Sequence, residues 1–299
     1  MKNSIIGGKK SKNALEKTMS ILFFVCGLAA VVCVLCMTVY MVISGWPAMQ
    51  KIGLLQFVFG QVWNPENAQF GIALMILASI IATSSAILVS LPVGVLVAVF
   101  LAKLVPGKVA AGLRMLIDLL AGIPSVVYGL LGATLIAPLL FKLQTALHLP
   151  TGGSLLAAII ILIIMILPTI ISVSETAIRT VPKQYEDASL ALGSTKLQSI
   201  FKVTVPAAKN GIVAGMVLGV GRAIGEAMAV IMVAGNAAIM PAFLKPVRLL
   251  TASIPIEWAY SSGLHREALC GIGLVLFMFI MIINIVLNRV LKQGGTEHA

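Results

Sequence analysis

The chain has 299 residues, 60% hydrophobic and only 10% charged, with a mean hydropathy of +1.08. A soluble core of that composition would leave far too much apolar surface in water, so the chain reads as an all-α polytopic membrane protein. Its net charge of +11 would suggest a nucleic-acid partner in a soluble protein, but topology accounts for it here, and no basic patch interleaved with aromatics supports nucleic-acid binding.

Residues 1–18 are polar and basic and read as a mobile tail. Six apolar runs, at 19–45, 71–102, 112–141, 154–178, 208–235 and 268–289, are each long enough to cross a bilayer. The first is too long for a signal-peptide core and reads as a retained span. Cys26, Cys33, Cys36 and Cys270 all fall inside these runs without histidine partners, so they read as small apolar fillers. Between the first two runs, Trp46 and Trp63 suit interfacial positions in an outer loop. The second run would measure roughly 48 Å as one helix, and Pro92 and Gly94 predict a kink in it.

The third run is interrupted at 121–129, Ala-Gly-Ile-Pro-Ser-Val-Val-Tyr-Gly, where Ser125 and Tyr128 offer hydroxyls. Broken apolar segments are tolerated where the freed backbone lines a cavity or is buried in protein. The two hydroxyls therefore either line a pathway or bond locally at a kink. Arg114 with Asp118 and Glu175 with Arg179 are i,i+4 pairs that read as structural contacts at the membrane surface. Segment 237–266, with Pro241, Pro246, Pro255, Trp258 and His265, reads as a structured outer loop that meets a partner.

With the N-terminus inside, fifteen Lys and Arg (2, 9, 10, 12, 17, 103, 108, 114, 179, 183, 196, 202, 209, 289 and 292) lie on the cytoplasmic side. Five (51, 142, 245, 248 and 266) lie outside, and Arg222 stays in the membrane. The positive-inside rule then puts both termini in the cytoplasm.

Arg222 sits near the middle of the apolar run 207–234, where a charge costs roughly 3 kcal/mol on insertion scales. On a continuous helix Gly211, Gly215, Gly219, Arg222, Glu226 and Ala229 share a stripe of roughly 80°. Small residues at that spacing let another backbone approach, so the stripe should meet protein or an aqueous path. The Arg222–Glu226 pair is either a salt bridge locking two helices or part of a pathway.

The longest inner loop, about 180–206, reads as two short amphipathic helices forming a knob. Pro182 starts the first, with Tyr185, Ala188 and Leu192 on one face. Gly193 stops it in a left-handed turn, Thr195 and Gln198 make a capping box for the second, and Pro206 closes the loop.

Asp187-Ala188-Ser189, Gly193 and Val203-x-Val205-Pro206 resemble the coupling loop of ATP-binding-cassette importer permeases, E-A-A-x3-G-x9-I-x-L-P. Asp stands for the first Glu, Ser for the second Ala, and Val at two aliphatic positions. Four further segments, 44–51, 121–129, 221–230 and 262–265, are similar to the permease subunits of phosphate importers, more to the PstC type than to the PstA type. The resemblance implies the type I importer permease fold, with a first helix and outer loop at 19–69, a permease core at 70–292 containing coupling loop 183–206, and a tail at 293–299. It also implies a bacterial cytoplasmic-membrane location and an ATP-driven phosphate importer. The partners would be a second permease, two ATPase subunits that bind ATP and Mg, and an extracytoplasmic phosphate-binding protein. Arg222 and Glu226 would lie on the phosphate path.

The chemistry is compatible with that expectation. Arg222 presents a bidentate fork to phosphate oxygens, and Glu226 accepts a phosphate O–H or holds Arg222 when the site is empty. No G-x4-G-K-[ST] spacing occurs, so this chain is expected to have no ATPase site and no cofactor of its own. The alternatives are a permease for sulfate or molybdate, an ion-coupled secondary transporter, for which inverted halves are lacking, and an intramembrane enzyme, for which no buried Ser/His pair or metal cluster is present in the spans.

Overall fold

The computed structural model describes the backbone of residues 4–295 and the side chains of residues 16–286 and 289. Helix α1, Ser4–Ile52, is followed by α2, Leu54–Phe59, and by a two-stranded antiparallel hairpin of β1, Trp63–Asn64, and β2, Gln69–Phe70. Helix α3, Ala73–Val99, ends in a π-helical turn at 100–104 and leads to α4, Gly107–Gly122. A second broken span follows as α5, Ser125–Leu131, a π turn at 132–136 and α6, Ala137–Ala146. Helix α7, Leu155–Thr180, precedes α8, Lys183–Ala191, α9, Lys196–Ser199, a π turn at 200–204 and α10, Val205–Ala207. Then come α11, Lys209–Gly225, α12, Met228–Val233, α13, Leu250–Glu257, and α14, Gly263–Gly295.

Among the described residues five helices are long and apolar enough to cross a membrane, or up to six if the pair 196–207 and 209–225, bent by 67°, counts as one span. The architecture is therefore the mostly helical one expected, with five to six candidate spans and three differences in its elements. Helix α1 is helical from Ser4, where a tail was expected, and persists past Trp46. The third run is two helices, because Pro124 has no N–H to donate and holds Ile123 in an extended conformation. The fifth run breaks at Glu226 and Ala227. Of the expected C-terminal tail, residues 296–299 lie outside the described residues.

Between residues 19 and 37 helix α1 is exposed on every side, with Phe23, Phe24 and Met37 among its bare apolar residues. A helix apolar all round needs lipid or another apolar surface. Its last turns dock on α14, where a Cβ on Gly45 would lie 2.7 Å from the Gly271 nitrogen.

Three apolar clusters stack along the bundle. The central one joins α3, α5, α7, α12 and α13 around Ile161, Leu162, Ile166 and Ile170. The second, around Phe57, Phe70, Ile72 and Leu269, seals the end that carries the hairpin. The third, around Val99, Ile178 and Ile200, underlies segment 183–206 at the opposite, loop end. Helix α7 is the axis, packed along its length on α3. Gly94 permits that contact, since a Cβ there would lie 2.7 Å from Ile170 Cγ2.

Candidate functional site

Every position of the small-residue stripe on α11 faces α7. Gly211 abuts Ala177, Gly215 lies against Val173 and Ser174, and Gly219 lies against Ile170. A Cβ on Gly211 would stand 2.3 Å from Ala177 Cβ, so a side chain there would force the helices apart. The next residue on the stripe, Arg222, donates from Nη1 to Thr169 Oγ1 at 3.1 Å. The stripe thus meets protein along its glycines and ends in a guanidinium at the edge of the seam.

Arg222 and Glu226 are not an ion pair in this structure. Helix α11 ends at Gly225, and Glu226 takes an extended conformation, so the expected i+4 alignment is lost. Glu226 instead caps the next half-helix, its Oε1 accepting from the Ala229 N–H at 2.9 Å. Its carbonyl accepts from Thr251 Oγ1 on α13 at 2.9 Å. A glutamate that satisfies an orphan donor at a helix start stabilises a break in the apolar region, where water is not available to do so. Among the described residues no carboxylate lies within 4 Å of the half-buried Arg222 guanidinium, and Thr169 is its one hydrogen-bond partner. Most of its N–H donors are therefore available.

The two broken spans meet beside this residue. Helix α5 crosses α12 at Gly129, where a Cβ would lie 2.8 Å from Ala229 Cα. The buried Tyr128 donates its hydroxyl to the Leu120 carbonyl at 2.7 Å, tying α5 back to the end of α4. Ser125 is half-buried in the first turn of α5. Tyr128 shares the central apolar cluster with Ala223 and Ala229, which flank Arg222 and the break at Glu226, and its hydroxyl is engaged locally.

Segment 183–206 takes the anticipated form in its first helix, its glycine turn and its capping box, but its second helix runs on through the π turn and past Pro206, which was expected to close it. Gly193 turns the chain at φ +87, the left-handed region glycine enters freely. The Ser189 and Ser194 hydroxyls meet at 2.7 Å across that turn. Thr195 Oγ1 accepts from the Gln198 N–H at 3.3 Å, and Gln198 Oε1 accepts from the Thr195 N–H at 3.0 Å. Asp187 and Ala188 are exposed on α8, Val203 is half-buried in the π turn, and Pro206 is exposed in α10. Leu192, at the tip, is 91% exposed.

Several residues that matter were invisible to local spacing. Arg114 does not bridge to Asp118. It reaches α7, its Nε donating to Glu175 Oε2 at 3.1 Å, while Arg179 holds the same carboxylate at 2.8 Å. The i,i+4 contact of Glu175 with Arg179 is present as expected. Lys103 on the first π turn pairs with Glu186 of α8 at 2.7 Å. At the hairpin end Glu257 gathers Trp63, Arg248 and His265. The cysteines are free, with Cys26, Cys33 and Cys36 exposed on α1.

Residues 90–293 match the family of binding-protein-dependent transport system inner membrane components. A probable ABC transporter permease protein, YqgH of Bacillus subtilis, is 32% identical over 296 residues, covering 95% of each chain. The phosphate transport system permease protein PstC of Mesorhizobium japonicum is 32% identical over 268 residues, covering 84% of this chain and 82% of that one. Among solved structures, a bacterial alginate ABC transporter in complex with an alginate-bound periplasmic protein superposes with a TM-score of 0.65 at 13% identity, covering 94% of this chain and 97% of that chain. The inward-facing MetNI methionine ABC transporter gives 0.52 at 20% identity, covering 73% and 91%. These likenesses carry the fold, that of type I importer permeases.

Proposed function

This chain belongs to the family of binding-protein-dependent transport system inner membrane components, and from that premise we propose that it is a permease subunit of an ATP-driven phosphate importer. The cargo reading draws on its similarity to PstC proteins and on the chemistry of Arg222. The observation that carries the reading is a cation within an apolar span with no carboxylate in reach and most of its donors free. Such a charge is costly unless something anionic visits it. A partly protonated phosphate offers oxygens to the guanidinium, and its O–H finds acceptors at the nearby backbone break. Glu226 shapes this site by holding the break open through its cap on α12.

In this reading loop 183–206 is the socket for a separate ATPase subunit and faces the cytoplasm, as do both termini. ATP and Mg are bound by two such ATPase subunits. A second, PstA-type permease completes the path, and a phosphate-binding protein docks at the hairpin end. Loading outside and ATPase closure beneath Leu192 open the bundle outward, and hydrolysis resets it. Ser125 and Tyr128 border the path.

The test is ATP-dependent phosphate uptake by the complete complex, wild type against Arg222→Gln at matched membrane abundance, with sulfate and molybdate as competitors. Loss of charge-assisted hydrogen bonds should lower uptake roughly 10- to 100-fold while ATP hydrolysis persists. Unchanged uptake would make Arg222 a helix-seam residue, and competition by sulfate or molybdate at equal concentration would reassign the cargo.

A further inference from the structure

Helix α8 is the element expected to receive motion from the ATPase, yet it is loosely seated. None of its residues is buried, and Tyr185 and Leu190 on it are 55% and 40% exposed. A helix without an apolar anchor transmits movement only through its chain ends and its side-chain bonds. Consecutive acids on α8 are turned in opposite directions. Asp187 is exposed, whereas Glu186 points inward to Lys103, and the two paired side chains are only 14% and 16% exposed. The Glu186 carbonyl also accepts from Ser199 Oγ at 3.4 Å. Among the described residues Lys103–Glu186 is the ion pair that ties α8 to a membrane-crossing helix.

Lys103 stands on the π-helical turn that closes α3. In the same turn the Leu101 carbonyl accepts from Arg179 Nη2 at 3.1 Å. Arg179 holds the buried Glu175, and Glu175 holds Arg114 of α4. The end of α4 is bonded to Tyr128 through the Leu120 carbonyl, and Tyr128 packs in the same apolar cluster as Ala223, the residue after Arg222. From α8 to Tyr128 on α5 runs a series of polar contacts, linked by the backbone of the π turn and of α4, and it enters the bundle at Lys103. A π turn carries an extra residue in its coil and adjusts its pitch more readily than an α-helical turn, so it is a natural place for the end of α3 to yield. Exposed ion pairs hold little, but this one is sheltered from water and salt.

We propose that Lys103 is the positioning residue through which displacement of α8 reaches the membrane helices, so that its pair with Glu186 couples ATP hydrolysis to opening of the anion path. The proposal rests on the reading of segment 183–206 as the ATPase socket. Contiguity alone is not coupling, so the test has to measure coupling directly.

The complete complex, with its second permease, ATPase subunits and binding protein, is reconstituted in proteoliposomes. Assembly, basal ATP hydrolysis and phosphate carried per ATP are compared for wild type, Lys103→Met, Lys103→Glu, Glu186→Lys and the reversed pair Lys103→Glu with Glu186→Lys. Lys103→Met should assemble and hydrolyse ATP near the wild-type basal rate while phosphate carried per ATP falls about tenfold. The reversed pair should recover most of that ratio although each single reversal loses it. A wild-type ratio in Lys103→Met, or a reversed pair no better than the singles, overturns the proposal. A parallel cross-link from Leu192→Cys to the ATPase subunit separates the two levels. With the cross-link present, loss or retention of the ratio judges Lys103 alone, and its absence overturns both the socket reading and the coupling built on it.

Discussion

At the loop end of the bundle the Glu175 side chain, 3% exposed, lies between Arg114 and Arg179 and ties α4 to α7. At the hairpin end the Glu257 carboxylate, 16% exposed, accepts from Arg248, from the Trp63 indole and from His265. Glu175 is surrounded by two permanent cations and Glu257 by one cation, an indole and an imidazole. The first node is a clamp between rigid helices. The second collects segments that are far apart in sequence and irregular in shape: the hairpin, the coil before α13, the end of α13 and the start of α14. Losing the centre of a node therefore means different things at the two ends, repulsion between arginines at one and loosened loops at the other.

Unfolding titrations of the purified chain in mixed micelles would sharpen that contrast. Glu175→Ala is expected to be the most damaging, at about 2–3 kcal/mol, because it removes the buried acceptor and leaves two arginines side by side, whose partial exposure screens their repulsion. Arg114→Leu introduced on top of it should recover part of the loss, and failure to recover would mean that repulsion is not the cause. Glu257→Gln should cost about 2 kcal/mol, since an amide still accepts from the indole but no longer neutralises Arg248. Limited proteolysis would register this loss as faster cleavage within 235–248, with the loop end unaffected. His265→Leu removes one neutral-capable donor and should cost about 1 kcal/mol, less the packing it retains beside Trp63 and Phe70. Lys51→Ala should change stability by well under 1 kcal/mol, because the Lys51 side chain is 58% exposed in its bridge to Glu267. If Lys51→Ala matched Glu257→Gln, burial would not be what separates strong from weak contacts here.

The sequence made the spans, the glycine stripe and the knob at 183–206 legible because each is written in local spacing. Gly193, Thr195 and Gln198 announce a stop and a capping box within a few residues of one another. The break at Pro124 was visible for the same reason. The break at Glu226 was not, since a glycine inside an apolar helix is usually tolerated and nothing adjacent forbids helix there. What ends α11 is tertiary: Thr251 takes the Glu226 carbonyl and the Glu226 side chain takes the Ala229 N–H. Arg114 shows the same limit. Spacing offered Asp118, four residues away, whereas the fold supplies Glu175 from another helix. Of the candidate pathway residues, the sequence indicated Arg222 and Tyr128 by type and place, but not that Arg222 would stand without a carboxylate partner.

The seam between α11 and α7 has a mechanical consequence. Gly211, Gly215 and Gly219 recur every fourth residue against Ala177, Val173 and Ile170, so the contact is a rack whose teeth repeat about every 6 Å along the axis. At intermediate offsets the bulk of α7 no longer faces a gap, and the helices would have to separate before sliding. Relative movement along this rack should therefore come in whole notches, and Arg222, fixed to the last tooth, would be carried from one level of the membrane to the next without dwelling between. Disulfide trapping from cysteines placed on the outward edges of α7 and α11 would then capture discrete registers, and a smooth spread of cross-linking positions would show that the rack does not govern the motion.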